Sequence, residues 1–180
     1  MKILIPLAEG FEELEAIAVW DILKRAGVQA VLAGIPGTII RGKNGLQVTT
    51  EAKLADLRAE ELDGVVLPGG WPGYENLASS HDLKELVLRL AEEKKLIAAI
   101  CGAPTVLARW GLLDERKAAV YPGLEREILR PRGDRVVKDE NFITSKGPGT
   151  AVEFALEIVE YLLGKEKRQE VERQIAYERA

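Results

Sequence analysis

A doubly wound α/β sandwich is the fold this chain predicts, and three observations carry it. Short apolar runs suited to buried parallel strands alternate with helix-like segments from the first residue onward. Glycine-containing loops follow three of those runs, at Glu9-Gly10, Pro68-Gly69-Gly70 and Cys101-Gly102. No repeat, low-complexity stretch or linker interrupts the 180 residues, so a single domain over 1–180 is expected, long enough to bury a full core.

Taken in order, Lys2–Leu7 reads as a short apolar strand. Phe11–Ala26 reads as a helix with Phe11, Leu14, Ala18 and Ile22 on one face, and Gly27 is its stop signal. Val28–Ala33 is a second strand, Leu46–Thr50 a short extended piece, and Gly64–Leu67 a third strand ending in Pro68-Gly69-Gly70. Leu83–Glu93 is an amphipathic helix, Leu96–Ile100 a strand, and Thr105–Trp110 a helix that Gly111 ends. Ala118–Val120, Val136–Val137 and Phe142–Thr144 read as short strands around the charged segment 121–135. The last clear helix has Thr150 and Glu153 in capping-box spacing. Its apolar stripe is Val152, Ala155, Leu156, Val159, Leu162 and Leu163, and Gly164 closes it. The charged tail from Lys165 is expected as a surface helix packed through Val171 and Ile175.

Composition narrows the function classes. No apolar run approaches the ~18 residues that span a bilayer, so no membrane partner is expected. A net charge of −4 gives no footing for stable nucleic-acid binding. Met1-Lys2 leads straight into Ile3-Leu4-Ile5-Pro6-Leu7, which is too short for a signal peptide, and one cysteine excludes an intrachain disulfide. A reducing cytoplasm is the expected location. The lone His81 cannot make a zinc site, and neither GxGxxG after the first strand nor GxxxxGK[ST] occurs, so no metal or nucleotide cofactor is expected. Lys, Arg and Glu abound while Asn (3) and Gln (4) are scarce, a bias shared with heat-stable proteins.

Ligands in such sheets bind beyond the carboxyl ends of the strands, where the three glycine loops fall. Cys101 stands at one of those ends, between Leu96–Ile100 and a helix whose first turn holds Pro104. The nucleophile elbow of hydrolases uses the same strand–turn–helix corner, which strains the backbone and presents a side chain to a cleft. The N–H groups at a helix start also favour a thiolate. Read from the corner alone, Cys101 fits a reactive thiol and a small buried hydrophobe equally well. A thiol with an ordinary pKa near ~8.5 needs a neighbour to activate it at neutral pH. His81, at the start of the 82–93 helix, is poorly placed for that role. Glu9-Gly10-Phe11-Glu12-Glu13-Leu14-Glu15 is better placed, because it follows the first strand. Glu12 and Glu15 lie about one turn apart on a shared face, whereas Glu13 is expected in solvent. By themselves, these acids also read as simple decoration of a helix N-terminus.

Four segments in this order carry a resemblance: Glu9-Gly10-Phe11-Glu12-Glu13-Leu14-Glu15, Val65-Val66-Leu67-Pro68-Gly69-Gly70, Ala98-Ala99-Ile100-Cys101-Gly102-Ala103-Pro104 and Thr144-Ser145-Lys146-Gly147-Pro148-Gly149-Thr150. Over nearly its whole length the chain resembles the ThiJ/PfpI superfamily, and most of all the branch containing the Parkinson-disease protein deglycase. The resemblance implies a flavodoxin-like three-layer sandwich with a mostly parallel central sheet, and a homodimer with the cleft near its interface. It places the nucleophile at Cys101, a buried glutamate at Glu15, and backbone donors at Gly70 and Gly102 facing the sulfur or a bound oxyanion. Burial beside a developing thiolate should then raise the pKa of Glu15 and keep it protonated. The two groups are expected to share one negative charge, mostly on sulfur.

Two positions depart from the family pattern. Gly102 stands where the protease-like branch has a histidine, which weakens a cysteine-peptidase reading. Tyr121 stands where the deglycase-like branch often has a histidine, and it suits either a hydrogen bond to substrate or a packed cleft wall. The activity implied is glyoxalase or deglycase chemistry, without glutathione or cofactor, on methylglyoxal, glyoxal, or their protein and nucleotide adducts. The competing expectation is a redox-sensing or chaperone-like stress protein in which Cys101 is oxidised to the sulfinate.

Overall fold

The computed structural model describes residues 1–178. They form β1 (Lys2–Ala8), α1 (Glu13–Arg25), β2 (Gln29–Ile35), β3 (Ile39–Arg41), β4 (Gln47–Thr49), β5 (Ala52–Lys53), β6 (Gly64–Leu67), α2 (Gly73–Ala78), α3 (His81–Glu92), β7 (Leu96–Ile100), α4 (Ala103–Arg109), β8 (Val136–Asp139), β9 (Phe142–Ser145), α5 (Ala151–Leu163) and α6 (Lys165–Gln174). The main sheet runs β5-β2-β1-β6-β7-β9-β8, and β3 and β4 make a separate hairpin. Every pair in the main sheet is parallel except β8 with β9. With the short edge strands set aside, this is the flavodoxin-like order of a doubly wound sheet. The chain leaves β1 toward β2 and later returns to β6 on the other side of β1. A crevice therefore opens at the carboxyl ends of β1 and β6, where Glu9-Gly10 and Gly69-Gly70 stand.

The apolar runs are continuous because both faces of the sheet are covered. Ile3, Ile5 and Leu7 of β1 point into a core shared with Val19, Ile22 and Leu23 of α1 and Phe154 and Ile158 of α5. Leu4 and Ala8 point the other way, toward Leu77 of α2, Leu83 and Leu90 of α3 and Leu107 of α4. β7 divides alike, with Leu96, Ala98 and Ile100 on the first side and Ile97 and Ala99 on the second. A one-residue slip in either strand would exchange the two cores, so register is strongly specified.

Several expectations need correction. α1 begins at Glu13, because Gly10 turns the chain at φ +87 and Phe11 pairs with Gly42 before the helix starts. The buried face is consequently Glu15, Ala16, Val19, Ile22 and Leu23, while Leu14 is 54% exposed. Ala118–Val120 forms no strand. Both edges of β9 are taken by β7 and β8, so Ala119 N–H bonds the Thr144 side chain and Ala118 makes only an isolated bridge to Pro131. The capping box is not formed: Thr150 Oγ1 is engaged with Ser145 and Gly147, and Glu153 pairs with Arg135 at 2.6 Å. Phe154 and Ile158, absent from the expected α5 stripe, are fully buried, and Leu163 is exposed. α6 does pack through Val171 and Ile175.

Candidate active site

The corner at Cys101 is held from two sides. Its φ is +66, a left-handed conformation that costs a non-glycine residue energy unless its surroundings enforce it. They do: Cys101 N–H donates to the Ser145 carbonyl at 3.0 Å, and Tyr121 N–H donates to the Cys101 carbonyl at 2.9 Å. The half-buried sulfur faces the N–H groups of Gly70 and Gly102. α4 is only seven residues long, so these individual donors matter more at the sulfur than any helix dipole.

Glu15 reaches the same point from the first turn of α1 and is fully buried. Its Oε2 accepts the Gly69 N–H at 2.7 Å, and its Oε1 is buried without a hydrogen-bond partner. The Gly69 backbone passes between the two side chains with no room to spare. A Cβ there would lie 2.5 Å from Cys101 Cβ and 2.8 Å from Glu15 Oε2. Gly102 is forced in the same way, since a side chain would strike the ring of Tyr74.

Burial pushes the Glu15 carboxyl up to about 7, although the Gly69 N–H works against it. Burial, followed by the Glu15 charge, pushes the Cys101 thiol up to about 12, against the pull of the Gly70 and Gly102 N–H groups. The pair competes for one negative charge, so the second proton is held far above neutrality. Burial raises both groups, and the pair holds one negative charge between them.

The sulfur opens into a cleft of about 500 Å³ walled by Glu12, Lys43, Gly70, Trp71, Tyr74, Gly102, Tyr121, Pro122, Gly123, Leu124 and Pro148. Tyr121 lies in this wall beside Gly147. His81 does not line it: it is exposed at the start of α3, 3.1 Å from Glu85. Glu13 is not merely solvated, because its carboxylate accepts two 2.7 Å bonds from Asn44 and ties α1 to the β3–β4 hairpin. Lys43, Trp71 and Tyr74 of the cleft escaped the sequence reading. Trp71 adjoins the Pro68-Gly69-Gly70 loop already singled out, so proximity was an available signal. Tyr74 and Lys43 arrive from a short helix and a hairpin whose docking no local pattern announces. Among the described residues no group of three or more His, Cys, Asp or Glu could hold a metal ion, and no helix is long and apolar enough to cross a membrane.

The DJ-1/PfpI family pattern matches residues 1–161. Protein dj-1beta of Drosophila melanogaster is 41% identical, over 93% of this chain and 92% of the fly protein. The glutathione-independent glyoxalase DJR-1.2 of Caenorhabditis elegans is 38% identical, over 92% of this chain and 89% of its own length. A structure of oxidized Toxoplasma gondii DJ-1 superposes with a TM-score of 0.95 at 36% identity, covering 99% of both chains. Sequence, sheet order and the Cys101 corner thus agree, and the chain belongs to the DJ-1/PfpI family.

Proposed function

We propose that this protein converts small 2-oxoaldehydes to 2-hydroxy acids without glutathione, using Cys101 as nucleophile and Glu15 as the proton carrier. The observation that carries the reading is a buried carboxyl beside the sulfur with one oxygen anchored on Gly69 and the other unpartnered. In methylglyoxal, the Cys101 sulfur bonds to the aldehyde carbon while the thiol proton travels through Glu15 to the carbonyl oxygen, giving a hemithioacetal. Glu15 then takes the proton from that carbon and returns it to the neighbouring one, while the hydroxyl proton passes to the former ketone oxygen, which leaves a thioester. Water cleaves the thioester, releases lactate and restores the thiol. The Gly70 and Gly102 N–H groups are the donors proposed to hold the developing oxyanion, and Tyr121 is proposed as a wall of the substrate cleft.

A carboxyl whose pKa is raised to about 7 suits this work, since a general acid–base is most effective near the operating pH. The similarity to a protein named a glutathione-independent glyoxalase supports the same reading. The test is lactate formation from methylglyoxal by the pure protein without added thiol. Turnover that survives Cys101→Ser eliminates the scheme. Deglycation is the same attack on an aldehyde adduct of a protein or nucleotide, and assays on stable adducts separate it from action on free aldehyde. We also propose a homodimer and a reducing, cytoplasmic location.

A second reading has its own support. The donors around Cys101 would equally hold sulfinate oxygens, and the similar Toxoplasma structure is of an oxidized protein. Two equivalents of peroxide would oxidise the thiol through the sulfenate to the sulfinate, releasing two waters. Intact-mass measurement locating two added oxygens on Cys101, with negligible aldehyde turnover, would favour this role.

A further inference from the structure

We propose that Lys43 is a positioning residue for this site: paired with Glu12 in the cleft wall, its ammonium cancels the one carboxylate that opposes negative charge on the Cys101–Glu15 pair. The inference rests on the chemistry assigned above to that pair. Glu12 is only 8% exposed, and its backbone N–H donates to the Gly69 carbonyl at 2.9 Å. Its backbone is therefore fixed on Gly69, between the reacting side chains, and its side chain lines the same cleft as Cys101. Left alone, it would repel any charge that Glu15 or Cys101 acquires. Lys43 Nζ lies 3.0 Å from Glu12 Oε2, and both residues line the cleft into which the sulfur opens.

The cation is held in place by its hairpin. Lys43 N–H donates to the Phe11 carbonyl at 3.0 Å, Gly10 N–H donates to the Arg41 carbonyl at 2.8 Å, and Asn44 is bound twice by Glu13. A surface lysine meant only for solubility needs no such anchoring. Nor is stability an adequate purpose, since a pair with a half-exposed lysine contributes little to it. From the elements packed against the Cys101–Glu15 pair, the charged and titratable groups are Glu12, Lys43, Tyr74 and Tyr121. Behind Tyr74, Glu75 and Arg109 neutralise each other at 2.9 Å. Glu12 raises the pKa of Glu15 and Lys43 lowers it, so removing the lysine leaves the opposing carboxylate in command.

The test is the rate of Cys101 alkylation by iodoacetamide from pH 5 to pH 9, which requires no catalytic turnover. A failed glyoxalase assay therefore leaves this inference standing, and the converse also holds. Lys43→Met is expected to move the profile toward alkaline pH by about one unit, making alkylation roughly tenfold slower at pH 6. Lys43→Arg keeps the charge and should stay within about twofold of the parent. The double variant Glu12→Gln/Lys43→Met should return close to the parent profile, because both opposing charges are gone. An unmoved Lys43→Met profile, an arginine variant that behaves like methionine, or a double variant as shifted as Lys43→Met overturns the proposal. Should Lys43→Met not fold, Glu12→Gln alone decides: freed from its partner, Lys43 should shift the profile toward acid, and no shift refutes the idea.

Discussion

Replacing Glu15 by glutamine separates three consequences of burying a carboxyl beside a thiol. The amide keeps the shape and can still accept the Gly69 N–H, but it carries no charge and no transferable proton. For stability, the sign follows from the direction of the shift. The carboxyl holds its proton to about 7 in the folded protein against an ordinary 4.5, so between those values the folded state binds more protons than the unfolded one. Stability therefore falls as pH rises through that window, by about 3 kcal/mol for a shift of this size. Glutamine removes this slope, so urea unfolding at pH 5 and pH 8 should differ by about 2–3 kcal/mol less in the variant. For the thiol, losing the neighbouring carboxylate removes the second-largest cause of its elevation while burial remains. Its ultraviolet titration midpoint should fall. For turnover, loss of the proton carrier should lower kcat by about 10²–10⁴ even though more thiolate is present. The reasoning is refuted if the midpoint does not move, or if the variant loses stability between pH 5 and pH 8 as steeply as the parent.

Three further outcomes test other parts of the account. Gly69→Ala would drive a methyl into Cys101 and Glu15, and should cost about 1–3 kcal/mol in chemical denaturation and abolish turnover; parent-like activity would contradict the close approach. Arg168 is 5% exposed and bonds Glu157, Glu160 and Glu172 at 2.7–2.9 Å. Arg168→Met should cost about 3 kcal/mol and loosen α6 in hydrogen exchange, and a loss below about 1 kcal/mol would show the network to be ornamental. Leu14 on α1 and Leu46 on the hairpin are exposed on either side of the Glu13–Asn44 link, and Ile39 is exposed on β3. Leu14→Glu should shift sedimentation from dimer to monomer if this face joins two copies, whereas an unchanged sedimentation coefficient removes the face from consideration.

Much of this architecture was legible because parallel strands buried on both faces need unbroken apolar runs. Ile3–Leu7, Gly64–Leu67 and Leu96–Ile100 could hardly be anything else. What failed was phase and capping, which depend on partners distant in sequence. Leu14 belongs to the apolar spacing of Phe11 and Ala18, but Gly10 turns the backbone and starts the helix two residues later, so Glu15 takes the inward position. Thr150 and Glu153 satisfy a local rule, yet Ser145 and Arg135 compete for them from β9 and the loop before β8. Lys43 could not be found at all, because nothing in its neighbourhood records that the hairpin folds back onto Gly10–Glu13.

The charge balance of the Cys101–Glu15 pair is hard to read from sequence for a related reason. An elbow before a helix suggests a stabilised thiolate, but that suggestion leaves out desolvation, which depends on how the whole cleft closes. Here burial dominates both groups, and two N–H donors do not overcome it. The pair holds one negative charge between its two members, and the proposed chemistry moves a proton within it. The proposed proton carrier is a carboxyl unpartnered on one oxygen in a core that otherwise satisfies its polar atoms, Trp20 Nε1 being the other buried exception among the described residues. A left-handed cysteine, a buried acid and an orphaned oxygen are each unfavourable alone. Their meeting at one point, held by Gly69 and Ser145, is the arrangement a proton-passing nucleophile needs, and substitutions that relieve any one of them should stabilise the fold while slowing the chemistry.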